Sequence, residues 1–82
     1  QIPEGAKTVV IRLSRMQYMD QTGLYVMEDT LQDLRVKGVD IIFVGLLKQP
    51  RYMMERVDII PGFIPEERIF KSFKAYLMSL SK

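Results

Sequence analysis

The sequence predicts a small α/β domain in which helices cover parallel strands. Two short runs rich in β-branched and apolar residues, 8–13 and 39–46, are typical of strands buried on both faces. Between them, apolar residues recur at helical spacing. Strand, helix and strand in this order form a βαβ unit, and its crossover is expected to be right-handed. We therefore expect an α/β domain with a sheet flanked by helices. Its elements are this βαβ unit, a short edge strand and a C-terminal helix.

The length of the chain allows one domain. Its 82 residues are 48% hydrophobic and 27% charged, which is typical of a folded globular protein. Residues 1–7 contain Pro3 and Gly5 and predict a loop that enters the domain. Two strands that are apolar on both faces leave edges uncovered, and uncovered edges pair with other strands. We expect residues 1–82 to form a single domain that is N-terminally incomplete, with further strands before Gln1 or a partner strand.

The first helix is predicted to begin after Asp20 and to end near Lys37-Gly38. A carboxylate at position 20 would accept hydrogen bonds from the free amides of the first turn. Glycine at position 38 can take the left-handed conformation that ends many helices. The apolar face of the helix is predicted to be formed by Leu24, Met27, Leu31 and Leu34.

The second half of the chain predicts a short helix, a packed apolar loop, an edge strand and a terminal helix. Gln49-Pro50 opens the short helix, and two prolines and a glycine make residues 59–65 a loop. Arg68-Ile69-Phe70 is long enough only for an edge strand. The buried side of the short helix is predicted to be Tyr52, Met53, Met54 and Val57, and that of the terminal helix Phe73, Leu77 and Leu80.

Composition excludes several classes of function. The net charge of +2 comes without a basic run, so a nucleic-acid surface is not expected. Cysteine and histidine are both absent, which removes thiolate nucleophiles, imidazole catalysis and Cys/His metal sites. Glu28, Asp29, Asp33 and Asp40 are interpreted as a solvated face and not as a metal site or a carboxylate pair. No apolar run approaches the ~20 residues that span a bilayer. We expect no catalytic residues, no metal and no cofactor.

The turn Asp20-Gln21-Thr22-Gly23 is the candidate functional site. It follows the first strand, and functional groups gather at the carboxyl ends of strands in open α/β sheets. Free amides at a helix N-terminus favour the binding of an anion or a phosphate ester. The sequence does not choose among an anion, a nucleotide and a protein as the ligand of this turn. The simpler interpretation makes Asp20 an ordinary helix cap. Arg12 and Arg15 could assist an anion near this turn, although surface arginines are more often without such a role.

Four segments carry a resemblance to a known family. They are residues 9–13, 19–24, 38–45 and 68–75. In this order they resemble the STAS family, which comprises the cytoplasmic domains of sulfate permease (SulP) transporters and the anti-sigma factor antagonists. The resemblance runs from about Lys7 to the end of the chain and implies a STAS-like (SpoIIAA-like) fold. It covers the later part of the family's domain, whose opening strands and first helix would precede Gln1.

The resemblance also implies a function. In the antagonists a partner kinase phosphorylates the hydroxyl residue before the glycine, which makes Thr22 the candidate phosphorylation site. Threonine in place of the usual serine, and the ending that runs from Ile60 through Ile69-Phe70, look more like the transporter branch. The implied role is a non-catalytic regulatory domain of a sulfate or anion transporter, on the cytoplasmic side of the inner membrane. Its expected partners are the transporter membrane domain or cytoplasmic regulatory proteins.

Two alternatives stay open. The chain would be a free-standing anti-sigma factor antagonist if phosphorylation at Thr22 switched it. It would be part of an enzyme if catalytic groups lay in the segment that precedes Gln1.

Overall fold

The computed structural model of the chain describes residues 8–81, which form a parallel sheet with helices on both faces. The predicted loop of residues 1–7 and any strand before Gln1 lie outside the described residues. The elements, in chain order, are β1 (Thr8–Arg12), α1 (Gln21–Val36), β2 (Asp40–Val44), α2 (Lys48–Arg56), a 3-10 turn (Glu66–Arg68), β3 (Ile69–Phe70) and α3 (Phe73–Ser79).

The central strand of the sheet is β2. The strand order is β1-β2-β3 and both pairings are parallel, with Val9 opposite Ile41 and Phe43 opposite Ile69. The predicted βαβ unit and the short edge strand are therefore confirmed. β2 is shorter than predicted because Gly45 has a φ of 74° and ends the extended conformation.

The main core lies between the sheet and the helices α1 and α2. Ile41 and Phe43 alternate with Ile42 and Val44 along β2, so they face opposite sides of the sheet, and all four are buried. Phe43 is wholly inaccessible to solvent. Packed with Ile41 and Phe43 in one apolar cluster are Leu24, Leu31, Leu34, Met54, Ile59, Ile60 and Ile64. The predicted apolar face of α1 is confirmed, with Met27 at its edge, and residues 59–65 are the packed loop that was predicted.

The helix α2 buries less than its sequence pattern predicts. Met54 is fully buried and Met53 is half-buried, but Tyr52 is 57% exposed and Val57 is 44% exposed. Tyr52 is two residues from Met54 and points to the opposite side of the helix, whereas Val57 lies past the last helical residue. The stripe that packs on the core is continued by Pro50, one turn before Met54.

The helix α3 covers the second face of the sheet only in part. The ring of Tyr76 lies 5.4 Å from that of Phe70, and the guanidinium of Arg12 lies 4.6 Å from the centre of the Phe73 ring. Leu77 and Leu80, predicted to be buried, are 47% and 63% exposed. Helical spacing determines which side chains of α3 share a face. It does not determine how far the sheet extends beneath that face, and therefore which of those side chains it covers. The prediction for these two leucines was therefore wrong.

The fold predicts contrasting effects on stability for two substitutions in α1 that shorten a side chain to alanine. Leu31→Ala should lower the free energy of unfolding by about 2–5 kcal/mol, because it leaves a cavity between α1 and the sheet. Val36→Ala on the same helix removes a side chain that is 81% exposed and should change stability by less than about 0.5 kcal/mol. Urea denaturation followed by circular dichroism measures both values. Equal losses would contradict the placement of the core.

Candidate functional site

Asp20 caps the first helix as predicted. It has extended backbone angles, and its carboxylate oxygen Oδ1 accepts a hydrogen bond of 2.8 Å from the backbone N–H of Gly23. The backbone N–H of Leu24 donates to the carbonyl oxygen of Asp20 at 2.9 Å, so the helix begins at Gln21. The turn is therefore the capped N-terminus of α1.

Glycine at position 23 suits the close fit of the cap. A Cβ atom there would stand 3.2 Å from Asp20 Oδ1 and 3.6 Å from the side chain of Met19. The first of these distances is tighter than ordinary van der Waals contact, so a larger residue would displace the capping carboxylate. The residue before it, Thr22, faces no such constraint because its side chain is exposed.

Gln49 of α2 fixes the segment that leads into the turn. Its side-chain Oε1 accepts a hydrogen bond of 2.6 Å from the backbone N–H of Met19, and its Nε2 donates to the Met19 carbonyl oxygen at 3.1 Å. One amide group thus satisfies both backbone groups of a residue whose side chain is buried. Sequence reasoning missed this role, because the two residues are 30 positions apart and no local pattern connects them.

The site residues are mostly exposed and adjoin exposed aromatic and apolar side chains. Asp20, Gln21 and Thr22 are exposed, and Gly23 is half-buried. Three nearby large side chains have exposed fractions of 71%, 58% and 60%: Tyr18, Tyr25 and Val26. We call Tyr18, Gln21, Thr22, Tyr25 and Val26 the turn surface. Val26 is four residues after Thr22 and shares its helix face. Exposed tyrosines supply apolar area and a hydrogen-bonding hydroxyl, as protein-recognition surfaces require.

A shallow groove extends the turn surface toward α2. Its volume is about 220 Å³, and it is lined by Gln21 and Leu24 of α1 and by Met53, Arg56 and Val57 at the end of α2. Methionine repacks easily against different partners, and the arginine adds a positive charge at one side of the groove.

The other candidate residues have ordinary surroundings. Asp33 forms an exposed ion pair of 3.3 Å with Lys37, one turn later on α1. Residues 8–81 hold no group of three acidic side chains that could bind a metal ion. Arg12 is turned toward Phe73 of α3, and within the same residues no hydrogen bond joins it to the Asp20–Gly23 turn. Asp29 and Asp33 are exposed, in agreement with the predicted solvated face, whereas Glu28 is half-buried and Asp40 pairs with Arg68 at 3.1 Å.

The parallel sheet, its helices and the exposed turn define a small α/β domain that presents an ordered helix N-terminus. The STAS domain family matches residues 1–75 of the chain, and the chain belongs to this family. The predicted STAS-like fold is thereby confirmed. No curated protein matches the chain. STAS domains mediate protein interactions and are generally non-catalytic. Between residues 8 and 81, no helix is both long and apolar enough to cross a membrane.

The hydrogen bonds between Gln49 of α2 and Met19, in the segment before α1, make a prediction for Gln49→Ala. The substitution leaves the N–H and the carbonyl oxygen of Met19 without their partner, which should cost about 1–3 kcal/mol of stability. Hydrogen exchange of the Met19 amide should become faster. Gln32→Ala is the matched control, since Gln32 is exposed on α1 and should leave that exchange rate unchanged. Unchanged exchange at Met19 in Gln49→Ala would contradict these hydrogen bonds.

Proposed function

We propose that this STAS domain is the regulatory, protein-interaction part of a sulfate or other anion transporter of the inner membrane. It lies on the cytoplasmic side, it is non-catalytic, and it acts by presenting the turn surface to a partner. The partner is the transporter's membrane domain or a cytoplasmic regulatory protein. The observation that carries the proposal is the exposure of Tyr18, Tyr25 and Val26, all within four residues of Thr22 in the sequence, at a helix N-terminus that is capped and anchored.

The geometry supports recognition by this surface because hydrogen bonds and core packing hold the backbone that carries it. Asp20 fixes the start of α1, and Gln49 ties the residue before it to α2. Leu24 and Leu31 hold the same helix on the sheet. A surface that is already ordered loses little conformational entropy when a partner binds.

Two features of the chain support the transporter branch. Threonine stands before the glycine of the turn, where the antagonists that the chain resembles usually have serine. The loop of residues 59–65 packs Ile59, Ile60 and Ile64 into the core and leads directly to the short strand β3. This arrangement agrees with the transporter-type ending, in which a loop precedes an Ile-Phe strand and a last helix.

The alternative function is that of a free-standing anti-sigma factor antagonist. The observation that favours it is the exposed Thr22 in the first turn of α1. A phosphate on this hydroxyl would add a charge of about −1.5 to −2 where the helix dipole favours negative charge. It would change any partner contact made by Tyr25 and Val26.

The complete reading frame separates the two functions. The transporter proposal expects several apolar spans of ~20 residues before the STAS domain, and the alternative expects a whole protein of about a hundred residues. A complete protein without apolar spans would refute the transporter proposal.

The contact made by the turn surface is testable with a single cysteine. The chain has no cysteine, so Thr22→Cys gives this segment one reactive thiol. In the full-length protein in its own membranes, a photoreactive label on that thiol should cross-link to the membrane domain or to a cytoplasmic protein. Val36→Cys is the matched control, because Val36 is also exposed on α1 but lies almost three turns after Val26, the last residue of the turn surface. Equal cross-linking from both positions would contradict docking by this surface.

The phosphorylation switch has its own test. A cognate kinase should label Thr22 in the unaltered chain but not in Thr22→Ala, and mass spectrometry locates the phosphate. The absence of label at Thr22 would rule out the alternative function.

A further inference from the structure

A second cavity opens at the carboxyl ends of the strands, on the sheet face that α3 covers. Its volume is about 170 Å³. It is lined by Arg12 and Ser14 at the end of β1, by Gly45 at the end of β2, and by Lys71 and Ser72 between β3 and α3. We call it the α3 pocket. None of the turn-surface residues lines it.

The charged side chains of the α3 pocket are both cations. Arg12 and Lys71 line it and no carboxylate does. The ion pairs found among residues 8–81 use Lys37, Arg51 and Arg68 as their cations, so neither pocket cation is neutralised by a described carboxylate. A concave surface with two cations of this kind attracts anions.

Arg12 is held in place by an aromatic ring. Its guanidinium carbon lies 4.6 Å from the centre of the Phe73 ring, and this cation–π contact occupies one face of the planar group. The N–H groups lie in the plane of the guanidinium and stay available to oxygen acceptors. An arginine with restrained orientation and free donors is suited to bind a tetrahedral oxyanion through two parallel hydrogen bonds.

The strand ends that form the pocket are packed closely together. The backbone N–H of Gly45 donates to the carbonyl oxygen of Phe70 at 3.0 Å, which joins the ends of β2 and β3. A Cβ atom on Gly45 would come within 2.9 Å of the Ser14 side chain, and its φ of 74° also favours glycine. Gly45 thus lets Ser14 approach the segment that carries Lys71.

Both serines can donate a hydrogen bond into the pocket. The hydroxyl oxygen of Ser72 accepts a hydrogen bond of 3.1 Å from the backbone N–H of Ala75, which fixes the oxygen and leaves its hydrogen free. Ser14 also lines the pocket and carries a second hydroxyl.

We propose that the α3 pocket binds a small tetrahedral oxyanion of the sulfate or phosphate class. Arg12 and Lys71 supply the charge, and the hydroxyls of Ser14 and Ser72 donate hydrogen bonds to the remaining oxygens. This site is separate from the Asp20–Gly23 turn and does not depend on the transporter proposal, since it rests on the cavity and its cations alone.

Amide chemical shifts of the full chain test the proposal. Sodium sulfate and sodium phosphate are titrated in separate experiments at constant ionic strength, with sodium chloride as the balancing salt. We expect saturable shifts at Ser14, Gly45 and Ser72 with sulfate, phosphate or both. Shifts that chloride reproduces, or shifts that do not saturate, would overturn the proposal, because they would report general screening of charge.

Two pairs of charge-matched variants locate the binding. Lys71→Gln should weaken the binding of the anion by about five-fold or more, whereas Lys74→Gln should change it by less than about two-fold. Arg12→Gln and Arg15→Gln form the second pair. Arg12→Gln also removes the contact with Phe73, so Lys71→Gln, whose exposed side chain makes no described contact in the core, is the decisive variant. Equal weakening by both members of the lysine pair would refute the pocket.

Discussion

The burial of β2 on both faces is the constraint on which the rest of the structure depends. Ile41 and Phe43 require cover on one side of the sheet, and Ile42 and Val44 require it on the other. The helices α1 and α2 supply the first cover and α3 contributes to the second. Because the strands are parallel, each connection returns along a face of the sheet to the end where the next strand begins. The loops that leave the strands therefore gather at one edge of the sheet, formed by the carboxyl ends of the strands.

Both candidate sites lie at that carboxyl edge, on opposite faces of the sheet. The turn surface follows β1 and begins α1, and the α3 pocket joins the ends of all three described strands. Each site is organised by one polar contact between distant segments. The Gln49 amide bridges to Met19 at the first site, and Gly45 bonds to Phe70 at the second. The central strand β2 supports both sites, since Gly45 directly follows it and Gln49 lies in the first turn of the next helix.

Much of the local structure could be predicted from the sequence. The cap at Asp20, the left-handed Gly38 and the apolar face of α1 each depend on a few neighbouring residues, and the structure confirms all three. The predicted burial of Leu77 and Leu80 was wrong, as was that of Tyr52 and Val57. Periodicity correctly grouped the side chains of α1 by face, but Tyr52 and Val57 do not share a face of α2 with Met54. For Leu77 and Leu80, burial depends on what other segments place against their face.

The order of the elements, the family and the position of the exposed turn could all be predicted before the fold was known, because they follow from spacing and residue type along short stretches of chain. Three relations could be seen only in the folded chain: Gln49 anchors Met19, Arg12 packs against Phe73, and Lys71 lines one cavity with Ser14. These contacts join residues far apart in the chain. Their geometry depends on how the helices pack on the sheet, which no local pattern of residues encodes.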